Sequence, residues 1–208
     1  MTGFERRQEV VSALTHGLGL VASVIGGGIL LTLAAGSADA WRIASTAVFA
    51  TTMVLLYAAS TLYHAARSGH LRARLRMLDH CAIYLLIAGS YTPFALVGLR
   101  GGWGWSLFGV AWGLAVVGVV FKLFFIGRFH FLSTATYVAM GWMSLLAIGP
   151  MLRHLDPSTL MWLLAGGVIY TAGTWFYHRD AIPYNHGIWH LFVIGGSICH
   201  AVAVATLL

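Results

Sequence analysis

The sequence predicts an all-α integral membrane protein, a bundle of seven transmembrane helices forming one domain over residues 1–208. Three observations predict it. First, 59% of the residues are hydrophobic and 9% charged, whereas a soluble domain carries roughly a quarter charged residues. So few charges cannot cover a soluble globule, and the 13% aromatic content excludes a disordered chain. Second, the apolar residues are gathered into runs that match the roughly 20 residues a helix needs to cross a bilayer. Third, seven such helices consume about 140 residues. The remainder suffices for short connections and not for a separate soluble domain.

The runs fall at about 14–35, 43–66, 78–99, 103–124, 132–150, 158–177 and 186–207. Gly36-Ser37-Ala38-Asp39 ends the first, and Arg67-Ser68-Gly69-His70 opens a basic loop running to Arg76. Gly101-Gly102 and Gly127-Arg128 separate the next pairs, and Pro157 and Pro183 sit in turns. Residues 1–19 mix acids and bases with no small-residue cleavage site, so the first span reads as part of the mature chain. Gly26, Gly27, Gly28, Gly109 and Gly113 are expected where helix backbones approach closely. Trp41, Trp103, Trp105, Trp162, Trp175 and Trp189 lie near predicted helix ends, as an interfacial belt does. Cys81 and Cys199 lie in apolar segments and read as reduced packing residues.

Orientation follows from the Lys and Arg count. Arg6, Arg7, Arg67, Arg72, Arg74, Arg76, Lys122, Arg128 and Arg179 fall on one side, nine in all, against Arg42, Arg100 and Arg153 on the other. The richer side is expected to be cytoplasmic, with the N-terminus inside and the C-terminus outside a cell membrane. The net charge of +6 is explained by these short loops. Basic patches interleaved with exposed aromatics are missing, so nucleic acid is not an expected partner.

Ten histidines against six acids is an unusual balance. All but His154 and His200 map to the predicted cytoplasmic ends or loops. Ionisable groups inside a membrane are expensive and usually functional. His186 and His190 open the seventh span four residues apart, on one helical face. His64 closes the second span, and Ser60 lies one turn deeper on the same face. Asp79 opens the third span and is the only acid predicted within one. The alternating direction of the spans brings all five to one level near the cytoplasmic surface. Three neutral imidazoles and a water make a tetrahedral zinc site of the open, catalytic type. The expected metal ligands are therefore His64, His186 and His190, with Asp79 to orient the water or accept its proton. HxxxH alone is a weak pattern, and Gly187 replaces the glutamate of HExxH, so the convergence with His64 and Asp79 carries the argument. His16 and His80 are expected around the site rather than on the ion. His200 lies ten residues beyond His190, about 15 Å along a helix, too far to share an ion. Haem needs two axial histidines on opposite faces of a ring, and three histidines with an acid suit zinc better. A channel needs a polar ladder from end to end, which the spans do not carry.

These residues resemble the haemolysin III family, within the progestin and adiponectin receptor superfamily. The shared motifs are Glu9 with Thr15-His16-Gly17, Ser60-Thr61-Leu62-Tyr63-His64, Arg76-Met77-Leu78-Asp79-His80, Ile87-Ala88-Gly89-Ser90-Tyr91-Thr92-Pro93, and His186-Gly187-Ile188-Trp189-His190 with His200. One departure is Ser12, where the family often carries Asn. The resemblance implies seven helices with the N-terminus inside. It implies zinc held at His64, His186 and His190, with Asp79 and Ser60 close by. Through the adiponectin-receptor branch and the alkaline ceramidases it also implies hydrolysis of a lipid amide, with membrane lipids as partners. A regulator of membrane homeostasis with structural zinc, and a pore-forming haemolysin, are the other activities the family brings.

Overall fold

The computed structural model describes residues 2–67 and 69–208; Met1 and Ser68, the latter in the predicted basic loop, lie outside the described residues. Among the described residues, seven helices are long and apolar enough to cross a membrane: α1 (Gly3–Gly36), α2 (Ala40–Ala65), α3 (Gly69–Gly98), α4 (Gly102–Phe125), α5 (His130–His154), α6 (Pro157–Tyr177) and α7 (Asn185–Ala205). Local chemistry sets the ends. Thr2 and Glu5 form a reciprocal capping box on α1, with Thr2 N–H donating to Glu5 Oε2 at 2.7 Å. Asp39 Oδ1 caps α2 by accepting from the Trp41 N–H at 2.8 Å. Gly101 (φ 127°) turns the chain from α3 into α4 in a conformation closed to most side chains.

Two helices run further than their apolar runs. α1 starts at Gly3 rather than near 14, and α3 starts at Gly69 rather than 78, so the predicted basic loop is mostly the first two turns of α3. A hydropathy run marks where a helix meets lipid, not where its hydrogen bonds begin.

α1 packs on α2 and α7, α2 on α3, α3 on α4, and α6 on α7. α1 shows the sorting clearly. Its buried stripe is Ser12, His16, Gly19, Ser23, Gly27, Leu30 and Ala34, while Leu14, Leu18, Val21, Ile25, Ile29 and Leu33 are exposed. Small and polar residues face the bundle, and large apolar ones face outward, where lipid solvates them. Of the glycines expected at close helix approaches, only Gly27 fits: a Cβ there would stand 3.1 Å from Ala50 Cβ. Gly26, Gly28, Gly109 and Gly113 face open space. The tight glycines instead receive aromatic rings, as Gly19 does from Tyr57 and Gly118 from Tyr84. Trp41, Trp103, Trp105 and Trp175 are exposed, whereas Trp162 and Trp189 pack against the core.

α5 is broken by a 3₁₀ turn at Met143–Ala147 before it resumes at Ile148. Such a break frees backbone groups that lipid cannot satisfy. Tyr91 supplies them. Its hydroxyl donates toward the Met140 and Gly141 carbonyls (2.9 and 2.8 Å) and accepts from the Ser144 N–H (2.9 Å). α5 packs sparsely on its neighbours, and a cavity of about 590 Å³ lies along it, walled chiefly by α3, α5, α6 and α7.

Candidate metal centre

Each histidine of the predicted ligand set is delivered by a helix end. His64 lies in the last turn of α2, and His186 and His190 lie in the first two turns of α7. Tyr184 adopts a left-handed backbone (φ 59°) immediately before α7, so the helix begins directly at Asn185. The three side chains each offer a ring nitrogen, and these nitrogens all lie within 4.8 Å of one another. His64 and His190 are buried and His186 is half-buried.

The neighbours of these rings decide which nitrogen is free. His64 Nδ1 lies 2.8 Å from Glu9 Oε2, and His190 Nδ1 lies 3.1 Å from the Ser12 carbonyl and 3.1 Å from Thr15 Oγ1. Thr15 directs its own proton at the Val11 and Ser12 carbonyls. A carboxylate and a carbonyl only accept, so both imidazoles carry a proton on Nδ1, and in the neutral form each keeps its lone pair on Nε2. His64 Nε2 is buried with no hydrogen-bond partner among the described residues. A buried nitrogen left this way is costly unless something occupies it. Converging imidazoles, one with a buried Nε2 left without a partner, fit a metal ion. Imidazole suits zinc, copper, iron and nickel.

A supporting layer holds the first. Glu9 Oε1 accepts from Arg72 at 2.6 Å, and Arg72 also donates to the Tyr63 and Ala66 carbonyls at 3.1 and 2.6 Å. Arg72 thus ties the start of α3 to the end of α2, and Glu9 ties both to α1. A carboxylate that accepts from the far nitrogen of a ligating histidine fixes its tautomer and raises its basicity. Sequence reasoning missed both residues as parts of the site. The apolar runs place Glu9 outside the first span and Arg72 in a loop. Asp79 is therefore not the only acid within a span, because α1 contains Glu9. The usable signal was the seven-residue spacing from Glu9 to His16, which places both on one helical face.

His16 lies closer than expected. Its ring stacks on His190 with centroids 3.4 Å apart and planes 12° from parallel. Both its ring nitrogens are buried and without a hydrogen-bond partner among the described residues. Asp79 is buried on α3 and accepts no hydrogen bond from the described residues; its Oδ2 lies 3.6 Å from His80 Nδ1. His80 directs that nitrogen at the Arg76 carbonyl instead, at 2.8 Å. Ser60 lies against the Asp79 carboxyl, yet its buried Oγ closes no hydrogen bond. Asp79 stands outside the three-histidine group, and with Ser60, His80, His186 and His190 it lines the polar end of the cavity. The rest of the wall mixes apolar side chains, including Leu86, Phe94, Leu99, Met151 and Leu164, with polar ones such as Ser90, Lys122, Ser133, Thr171 and His200. The Ser12 contact with His190 is made by the backbone, so a different side chain at that position leaves it intact.

The other histidines lie apart. His70 and His130 are exposed, His178 Nε2 bonds Thr134 at 3.0 Å, and His154 Nδ1 faces the Pro150 carbonyl at 2.8 Å. His200 lies against Tyr170 at 5.4 Å between ring centroids. Lys122 departs most from the sequence reading. It is no loop residue: it sits in the last turn of α4, 2% exposed, turned inward onto the cavity wall.

The profile of haemolysin-III-related proteins matches residues 4–201. The chain is 43% identical over 194 residues to the "Hemolysin-3 homolog" of Bacillus subtilis (strain 168), covering 93% of this chain and 91% of that one. It is 43% identical over 197 residues to "Hemolysin-3" of Bacillus cereus, covering 95% and 90%. It is also 27% identical over 203 residues to the human "Monocyte to macrophage differentiation factor", covering 95% and 83%.

Proposed function

The chain belongs to the haemolysin III family, and from that premise we propose that it is a zinc-dependent intramembrane hydrolase of a lipid amide. The observation that carries the reading is a three-histidine group, two of whose members, His186 and His190, line a largely apolar cavity beside the buried carboxyl of Asp79. Bound there, zinc supplies Lewis acidity and, with it, hydroxide at neutral pH. The protein's own groups do the rest. Glu9 and the Ser12 carbonyl hold two imidazoles in the tautomer that leaves Nε2 free. Asp79 takes up the proton released on attack and returns it to the leaving amine, as a general base and then acid. Ser60, buried against the Asp79 carboxyl, hydrogen-bonds the water or the developing oxyanion. The apolar wall holds the acyl chain and keeps bulk water out. On this reading the N-terminus is cytoplasmic and the site lies near the cytoplasmic face of the cell membrane. With Lys122 removed from the loops, the charge count still favours that side, eight to three.

The test compares wild type, His190→Ala and Asp79→Asn in detergent, with metal content by mass spectrometry and turnover of an N-acyl sphingosine. Wild type should carry about one zinc per chain, the expectation for one three-ligand site. His190→Ala should lose zinc and turnover together, and Asp79→Asn should keep zinc and lose turnover. Turnover that persists without zinc overturns the mechanism. A second reading, a regulator of membrane homeostasis with zinc as a structural staple, draws on the way the centre ties α1, α2, α3 and α7 together. It expects Asp79→Asn to function normally and His64→Ala to lose stability.

A further inference from the structure

The end of the bundle away from the three histidines carries a second cleft. α2 is 26 residues long, about 39 Å of helix, and separates Asp39 before its first turn from His64 in its last. The cleft has a volume of about 190 Å³ and lies between the start of α2, the end of α3 and the start of α4. Trp41, Ala95, Leu96, Arg100, Gly101 and Trp105 line it. Its back wall is a π-helical turn, Phe94–Gly98, in which the Leu99 N–H donates to the Phe94 carbonyl at 2.8 Å. Pro93 has no N–H to donate, so the α-helical ladder is already interrupted one residue before that turn. Single π turns are rare and frequently stand at functional sites. α4 seats directly on this one because residue 104 is glycine: a Cβ there would collide with the Ala95 carbonyl.

The mouth of the cleft joins two aromatic rings to two opposite charges. Trp41 and Trp105 stand edge to face with centroids 5.7 Å apart, and both are exposed. The Arg100 guanidinium lies 5.8 Å from the Trp41 ring. Its Nη2 stands 3.4 and 3.5 Å from the two oxygens of Asp39, whereas charge-assisted bonds close to about 2.7–2.9 Å. Arginine has five N–H donors, and Arg100 makes no shorter hydrogen bond among the described residues. A cation and an anion thus sit side by side with neither closed at full bonding distance. Tryptophans that merely anchor helices at the interface need no such pair beside them.

We propose that this cleft binds the phosphoethanolamine headgroup of a phospholipid in the leaflet at that end. The phosphate takes Arg100, whose planar fork matches phosphate oxygens. The primary ammonium donates to the Asp39 carboxylate and rests against the exposed Trp105 ring. Ala95 and Leu96 supply an apolar floor. The specificity follows from the two charges. A choline head keeps the positive charge but has no N–H to give Asp39, and a glycerol head keeps the phosphate but has no cation. Neither the histidines nor any turnover enters this binding.

The test is native mass spectrometry of the delipidated full chain in a neutral detergent. Phosphatidylethanolamine, phosphatidylcholine and phosphatidylglycerol with identical acyl chains compete in equal amounts. Wild type should retain the ethanolamine lipid about fivefold over either rival, the factor that one exposed charge-assisted contact supplies. Asp39→Asn can still cap α2 and should bring the ethanolamine lipid down to the level of the choline lipid. Arg100→Gln should weaken all three. Equal retention of the three lipids by wild type overturns the proposal, and needs no variant to fold. So does an ethanolamine preference that survives in Asp39→Asn, or retention that is unchanged in Arg100→Gln, since the lipid then sits elsewhere. Free phosphoethanolamine displacing the lipid at equal concentration would assign the cleft to a soluble ligand and overturn the lipid assignment.

Discussion

Glu9→Gln isolates the supporting layer of the metal centre. The substitution keeps shape and removes charge. At present the carboxylate accepts from His64 at 2.8 Å and from Arg72 at 2.6 Å. A glutamine can accept from only one of them with its oxygen. If the oxygen faces His64, the amide NH₂ meets the Arg72 guanidinium, donor against donor. A hydrogen bond to a charged group contributes about 1.5–3 kcal/mol and a neutral one about 0.5–1.5. The exchange therefore costs about 1–1.5 kcal/mol at the His64 contact. Glu9 keeps 25% of its side-chain exposure, so solvent screens part of the charge and the lower half of the range applies. Each 1.4 kcal/mol is a factor of ten, so zinc affinity should fall about five- to eightfold. That is just below the roughly 10–100-fold typical of groups that hold a metal-binding histidine. The assay is chelator competition at neutral pH on protein purified in detergent, with helicity confirmed by circular dichroism. An affinity within about twofold of wild type would refute the reasoning and reduce Glu9 to a surface ion pair.

Three further outcomes follow from the fold. Tyr91→Phe removes the hydroxyl that serves three backbone groups at the α5 break. It should cost about 1–3 kcal/mol, read as a lowered midpoint in thermal unfolding in detergent; an unchanged midpoint would mean that water or a shifted backbone satisfies the break. Gly118→Ala places a methyl group on the Tyr84 ring, which is anchored by its hydroxyl to Thr136 at 2.8 Å. Overpacking of this kind costs about 1–3 kcal/mol, and Gly109→Ala, facing open space, is the silent control in the same assay. Asp39 lies between α1 and α2, and the Trp41 N–H holds its carboxyl below the usual range, helped by Arg100. Its folded value is the lower one, so its contribution is complete above the ordinary aspartate value near about 3.9 and is lost as pH falls through the folded value. The stability gap between wild type and Asp39→Asn should narrow over that acid window; a gap flat with pH would rule out the carboxylate as its source.

The seven spans were legible because lipid demands long apolar runs, and that demand acts locally on the chain. The three-histidine group was legible because His186 and His190 repeat on one face and the alternation of spans returns His64 to their depth. Glu9, Arg72 and Lys122 were not legible, for one shared reason. Each is charged and lies at the margin of an apolar run, where sequence alone assigns it to water. The helices carry these residues past that margin. Glu9 and Arg72 sit in the turns of α1 and α3 that extend beyond the apolar windows, and Lys122 turns inward at the end of α4. The inverted sorting of α1 held the missing signal. Ser12, His16, Gly19 and Ser23 form a small, polar stripe among large apolar residues. In a membrane such a stripe marks the face that packs.

That sorting bears on how the protein responds to temperature. Leu14, Leu18, Val21, Ile25 and Ile29 already stand outside the bundle. Separating the helices within a bilayer would transfer little further apolar surface into water. The heat-capacity increment of soluble domains, about 12–15 cal/mol/K per residue, comes from that transfer. Without it the free energy of helix separation is nearly linear in temperature, and no cold-side loss of structure is built in. Cohesion comes from dispersion at small-residue contacts, from interhelical hydrogen bonds such as Tyr57–Ser197 at 2.8 Å, and, on the proposed reading, from an ion at the three histidines. For a bundle of this kind, ion occupancy is a lever on melting that core hydrophobicity is not.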